Sequence, residues 1–176
     1  DTSSIVTLYT ESDGKLSAII KGGRGPKSKS GKIIDPLNHL QIIFYKKNTR
    51  DVQILSDANL ISHFVNIKEN LDATKYSFAI IELVKNLTVE NEVNAKLFKG
   101  LIKILNMIND GKEAAAFLYG RFLLFFLSEL GYELSIDKCS ICGNNVVAKK
   151  TLGFDYNTGF VCSDCFESHS GLETVS

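Results

Sequence analysis

The chain has 176 residues with twenty basic and twenty acidic side chains, so its formal net charge is zero. Hydrophobic residues make up 44% and charged residues 23%, a balance that fits one or two globular domains and excludes a disordered linker or a uniformly cationic protein. The most apolar stretch, Ala114 to Leu130, is interrupted by Arg121, Ser128 and Glu129. It is too short and too polar to span a bilayer, so it is expected to be a buried helix, with no membrane partner. With no signal-like start and the thiols set aside for a metal, the expected location is the cytoplasm.

Zero net charge hides an uneven distribution. Between Lys15 and Arg50 there are nine basic residues and one acid, Asp35. The remainder is acidic, which marks the basic block as a local surface for a polyanion.

Ile5 to Thr10 is rich in β-branched and aromatic residues and predicts a strand. Asp13-Gly14 signals a hairpin turn, and Lys15 to Lys21 returns as a second strand with Leu16, Ala18 and Ile20 on one face. Gly22 to Gly31 reads as a loop. Leu40 to Lys46 predicts a third strand and Asp51 to Leu55 a fourth, the set suggesting a small barrel or sandwich. Near residue 58 the periodicity becomes helical. One helix is expected from Ala73 to Leu87 with Asp72 as its N-cap, and a second from Asn94 to Asn109 with the stripe Leu97, Leu101, Ile104, Leu105 and Ile108. A third, from Glu113 to Leu130, is apolar around most of its girth and is expected to be central.

All four cysteines lie in two pairs, Cys139-Ser-Ile-Cys142 and Cys162-Ser-Asp-Cys165. Each pair places two sulfurs on one ion, and two pairs close a tetrahedron, the ligand set of a structural zinc site with no position open for a reactive water. Disulfides and redox pairs compete with this reading. The first suit secreted, cysteine-dense chains, and the second need no partner pair. Gly143 suits a tight turn around the metal, and Leu152 to Val161 reads as a hairpin turning at Asn157-Thr158-Gly159. His169 is a spare ligand or, more simply, a surface side chain.

The basic loop carries Lys21, Arg24, Lys27, Lys29 and Lys32, and Lys46, Lys47 and Arg50 at the next hairpin extend the path. Cations neutralise phosphates, and small residues let backbone amides approach them. The plain alternative is a solvated lysine loop. A nucleotide-binding P-loop is excluded: the glycine spacing is one residue too long, Ile33 stands where a hydroxyl should hold magnesium, and Asp35-Pro36 follows where a helix should begin. Tyr9, Phe44 and Tyr45 fall in candidate strands. Phe44 and Tyr45 are neighbours and so face opposite ways. His39 reads as surface, His63 lies near the β-to-helix junction, and no catalytic motif is present, so no enzyme is expected.

Taken in order, these segments resemble the RecO family of bacterial recombination mediators. The resemblance rests on Asp13-Gly-Lys-Leu-Ser-Ala-Ile-Ile-Lys-Gly-Gly-Arg-Gly-Pro-Lys-Ser-Lys29, Asp35-Pro36-Leu37, Leu123 to Tyr132 running into Asp137 to Gly143, and Cys162 to Cys165. It implies an α+β protein: an N-terminal OB-fold β-barrel over 1–57, a helical domain over 58–138, a four-cysteine zinc finger over 139–166 and a tail or the start of a helix over 167–176. It implies DNA repair and recombination through binding of single- and double-stranded DNA and annealing of strands. It further implies work with RecR to load RecA onto strands coated by single-strand-binding protein. An OB-fold has five strands, and four are read here, so the barrel's first strand is expected to be missing. Two other readings stand beside this one: a zinc-containing RNA-binding module, and a protein adaptor working through its helices.

Overall fold

The structure, a computed structural model, describes residues 2–25, 28–132, 136–146, 152–155, 159–168 and 173–175. The chain divides into two compact units, residues 1–126 and 127–176.

The first unit opens with β1 (Ser4–Thr10) and β2 (Gly14–Ile20), an antiparallel hairpin in which Ile5 faces Ile19 and Leu8 faces Leu16. The turn forms where Asp13-Gly14 predicts it. Gly14 adopts φ +67°, and the Thr10 hydroxyl accepts from the Asp13 amide at 3.1 Å. A Cβ at Gly14 would also overlap the carbonyl of Glu92, so glycine serves the turn and the packing of the hairpin on the segment after the long helix that follows.

Residues 22–31 are not wholly a loop. The chain turns at Gly22–Gly25, then forms the short helix α1 (Lys29–Ile33), capped by the Ser28 hydroxyl on the Gly31 amide at 3.0 Å. The helix forms there because Ile33 and Ile34 pack on the sheet's core, a tertiary contact that the small residues before them conceal.

Strand β3 (His39–Tyr45) pairs antiparallel with β4 (Val52–Ser62), and β4 pairs in parallel with β2, aligning Ser17 with Val52 and Ile19 with Ile54. The sheet order is β1-β2-β4-β3. A hairpin, a short helix and a second hairpin joined through a central parallel pair make this an OB-like domain, with four strands among the described residues. Leu16, Ala18, Ile20, Leu55 and Ala58 form its core, with Val6, Leu8, Ile42 and Phe44 packed around them. Strand β4 runs seven residues beyond its expected end at Leu55. The pairing jumps from Ile43–Asp57 to Phe44–Leu55, leaving Ser56 as a bulge. That extra residue brings both Leu55 and Ala58 to the core although they are three apart, and it breaks the alternation that marks a strand.

Four helices follow: α2 (Val65–Glu69), α3 (Leu71–Leu87), α4 (Ala95–Asp110) and α5 (Ala115–Glu129). The N-cap of α3 is Asn70, whose side chain accepts from the Ala73 amide at 3.0 Å, and not Asp72, which lies within the first turn. In α4 the five stripe residues Leu97, Leu101, Ile104, Leu105 and Ile108 are all buried, and the helix ends at Gly111 with φ +67°. Helix α5 does not bury its whole girth. Leu118, Phe122 and Phe126 are buried, while Phe117 is 61% exposed. His39 is not a surface residue but is half-buried with its ring edge-on to Phe98, and burial lowers its pKa. The hairpin is tied to the helices by Lys15, whose ammonium donates to the carbonyls of Lys85 and Thr88 at the end of α3. Among the described residues, no helix is long and apolar enough to cross a membrane.

In the second unit, β5 (Leu152–Asp155) and β6 (Gly159–Cys162) form the expected antiparallel hairpin. Asn157 and Thr158 of its turn lie outside the described residues. Helix α6 (Ser163–Ser168) follows, and β7 (Glu173–Val175) pairs with β5, within the segment expected as a tail or helix start. Gly153 leaves room for the ring of Phe166, which packs beside Val146 and Val161.

Candidate nucleic-acid interface and metal centre

Lys21, Arg24, Lys29, Lys32, Lys46 and Lys47 are all exposed; Lys27 lies outside the described residues. The structure does not gather them into one patch. Lys21 and Arg24 leave the end of β2, and Lys29 and Lys32 follow on α1. Lys46, Lys47 and Arg50 lie on the β3–β4 turn, beside the start of β2, because β2 and β4 run parallel. The two groups therefore stand at opposite ends of β2, on the order of 20 Å apart at about 3.3 Å per residue.

Three of the loop glycines do not offer their amides as expected. Gly23, Gly25 and Gly31 donate to Ile20, Gly22 and the Ser28 hydroxyl, and Arg24 donates to Thr2. A Cβ at Gly31 would overlap the Gly23 carbonyl. These glycines let α1 sit on the turn before it, and the amides of Gly23, Arg24, Gly25 and Gly31 are already engaged within the segment.

Gln53 is a functional candidate that the sequence does not reveal. It is buried, and its amide bridges the β3–β4 turn: Oε1 accepts from the Lys47 amide at 2.8 Å, and Nε2 donates to the carbonyls of Arg50 at 2.7 Å and Lys47 at 3.2 Å. The basic turn is thus held in one conformation from beneath. Lys46 is engaged by Asp13 at 2.5 Å. That hydrogen bond, with a second from Ser12, holds the Asp13 carboxyl below the usual range. Lys47 and Arg50 have no ion-pair partner among the described residues.

The four cysteines converge. Their sulfurs all lie within 4.8 Å of one another, and those of Cys142 and Cys162 are 3.7 Å apart. A disulfide needs about 2.05 Å, whereas a tetrahedron of sulfurs at about 2.3 Å from zinc has edges of about 3.8 Å. Backbone geometry sets the convergence. The Cys139 amide donates to Asn144 at 2.7 Å, the Gly143 amide returns to the Cys139 carbonyl at 2.9 Å, and Gly143 takes φ +74° as a tight turn requires. The Ser140 amide joins this turn to Phe160 of β6 at 2.8 Å. Cys162 ends β6 and Cys165 lies on α6. Burial opposes ionisation of Cys139, but the amides of Cys142, Cys162 and Ile141 outweigh it and hold the thiol at about 6. Burial, then the neighbouring sulfurs, push Cys165 up to about 12. Four thiolates this close repel one another unless a cation sits between them, so the donor set fits a metal ion that prefers sulfur. His169 lies outside the described residues, and His63 is exposed after β4.

An OB-like sheet followed by a helical bundle and a four-cysteine knuckle defines a small class of proteins. Residues 1–64 match the family model described as recombination protein O N terminal, and residues 68–176 match recombination protein O C terminal. The chain belongs to the RecO family of DNA repair and recombination proteins. It is 35% identical over 167 residues to DNA repair protein RecO of Chlorobium limicola, covering 92% of this chain and 64% of that protein. It is 35% identical over 163 residues to the RecO of Chlorobium phaeobacteroides strain DSM 266, covering 92% and 61%, and 30% identical over 141 residues to that of Salinibacter ruber, covering 80% and 54%. The chain thus spans a little over half to under two thirds of the length of these relatives.

Proposed function

We propose that this chain binds DNA as a non-enzymatic recombination mediator, with its OB-like sheet as the working surface and zinc in its cysteine cluster. The observation that carries this is the pairing of the family match with a braced, exposed set of cations on that sheet. Lys21, Arg24, Lys29 and Lys32 hold phosphates at one end of β2 and Lys46 and Lys47 hold them at the other, and Lys27, outside the described residues, is assigned to the same DNA-binding set. Neutralising phosphates on two strands lowers the repulsion that opposes annealing. Binding of single and double strands, contact with RecR and with single-strand-binding protein, and delivery of strands to RecA complete the reading. Cys139, Cys142, Cys162 and Cys165 hold one zinc ion that pins the knuckle to its hairpin and does no chemistry.

The test is anisotropy of a labelled single strand titrated across a salt series. Tight binding with a steep log–log salt slope, flattened by charge reversal at Lys29 and Lys32, supports the reading, because each phosphate contact releases condensed counterions. Absence of binding at low salt removes it and leaves the adaptor reading. Preference for RNA over DNA of the same sequence points to recognition of the ribose hydroxyl instead.

A further inference from the structure

The four cysteines are not equally open to solvent. Cys142 is exposed, whereas Cys139 and Cys162 are buried and Cys165 is half-buried. A reagent arriving from solvent therefore meets Cys142 first. Its sulfur lies 3.7 Å from that of Cys162, which belongs to the other knuckle and ends β6. Cys139 shares a knuckle with Cys142 but is the poorer partner. Its sulfur accepts from the amides of Cys142, Cys162 and Ile141, and bonds that stabilise a thiolate also dull it as a nucleophile. The cluster is also half of a small core. Cys139 and Cys162 are buried with Val146 and Val161, and Cys165 and Phe166 pack against them. A core in which three of six side chains are metal ligands keeps its packing only while the ligands are held together.

We propose that this knuckle is a peroxide-sensitive latch, with Cys142 as the residue that is oxidised and Cys162 as the thiol that resolves it. The inference rests on the zinc assignment above and adds a redox control to it. The Cys142 thiolate attacks one oxygen of hydrogen peroxide, the O–O bond breaks, and the departing hydroxide takes a proton to become water, leaving Cys142 as a sulfenic acid. The Cys162 thiolate then attacks the Cys142 sulfur. The S–S bond forms, the S–O bond breaks, and the second hydroxide leaves as water after taking a proton. Two thiolates have given up two electrons, and one peroxide has become two waters. Two of the four ligands are consumed, and the remaining pair no longer closes a tetrahedron around the ion. The new bond ties the first knuckle to β6 beside the existing Ser140 amide bond to Phe160, at 2.8 Å. That tie keeps the two knuckles in register, so reduction restores the site.

The test treats the reduced, zinc-loaded 176-residue chain with hydrogen peroxide. Zinc release is followed with a chromogenic chelator, and the products are mapped by mass spectrometry of unreduced peptides. The expected result is release of about one ion per chain, a cross-linked peptide joining Cys142 to Cys162, and recovery of the bound ion on adding dithiothreitol and zinc. Limiting iodoacetamide on the untreated, loaded chain should label Cys142 before the other three, a readout that needs no variant. A loaded chain that keeps its ion under peroxide, that releases it without the Cys142–Cys162 bond, or that is alkylated first at another cysteine overturns the latch and spares the zinc assignment. A reduced chain that takes up no zinc overturns both.

Discussion

Lys46 of the β3–β4 turn and Asp13 of the β1–β2 turn meet at 2.5 Å, joining two hairpin tips that lie 33 residues apart in the chain. The pair occupies one of the cations assigned here to DNA. Asp13→Asn should release Lys46 and strengthen single-strand binding by about two- to fivefold at low salt, the gain shrinking as salt rises. A titration of both proteins across salt checks it; unchanged affinity would mean that Lys46 stands outside the interface.

The same pair gives a pH dependence with a definite sign. The Asp13 carboxyl is held down by Lys46 and Ser12, so its contribution to stability is fully present above the ordinary carboxylate range, near pH ~3.9. It is lost as pH falls through the lower folded value. Thermal melts of wild type and Asp13→Asn should converge in that acidic window and differ above it.

Gly14→Ala meets two obstacles, a positive φ and the carbonyl of Glu92. A destabilisation of about 2 kcal/mol or more is expected, read as a fall in melting temperature. Gly111, also at positive φ but with open space around it, should lose only about 1 kcal/mol on the same change.

Phe122 is 2% exposed and stacks on Phe126 with ring centroids 5.9 Å apart. Phe122→Ala should cost about 3–5 kcal/mol. Phe117→Ala, earlier in the same helix and exposed, should cost within about 0.5 kcal/mol, and chemical denaturation of the two variants separates the buried stripe of α5 from its open face.

Replacing Cys139 and Cys142 with Ser should remove bound zinc, from about one ion per chain to none, and abolish the cooperative melting of residues 127–176. Because thiolates bind the metal, zinc affinity should fall as pH is lowered and binding should release protons. Unchanged zinc content in the double variant would sink the metal assignment.

The local signals in this sequence were the short-range ones. Asp13-Gly14, the stripe from Leu97 to Ile108, Gly111 and the paired cysteines each act over a few residues, and each stands where the sequence places it. The cysteine spacing alone carried the convergence of the four sulfurs, because two C-x-x-C knuckles each bring two thiols to one point. The ordered motifs were sufficient to point to the RecO family. What the sequence could not show depends on residues far apart in the chain. The bulge at Ser56 hides the second half of β4, since a strand's period is lost when one residue is added. Helix α1 is drawn out of a glycine-rich segment by Ile33 and Ile34 packing on strands that flank it in sequence. Gln53 reads as an ordinary polar residue until the turn folds over it. The separation of the two basic groups follows from the parallel pairing of β2 with β4. Parallel register joins segments with no local code between them, so only the folded sheet decides which cations, and which exposed side chains, stand side by side.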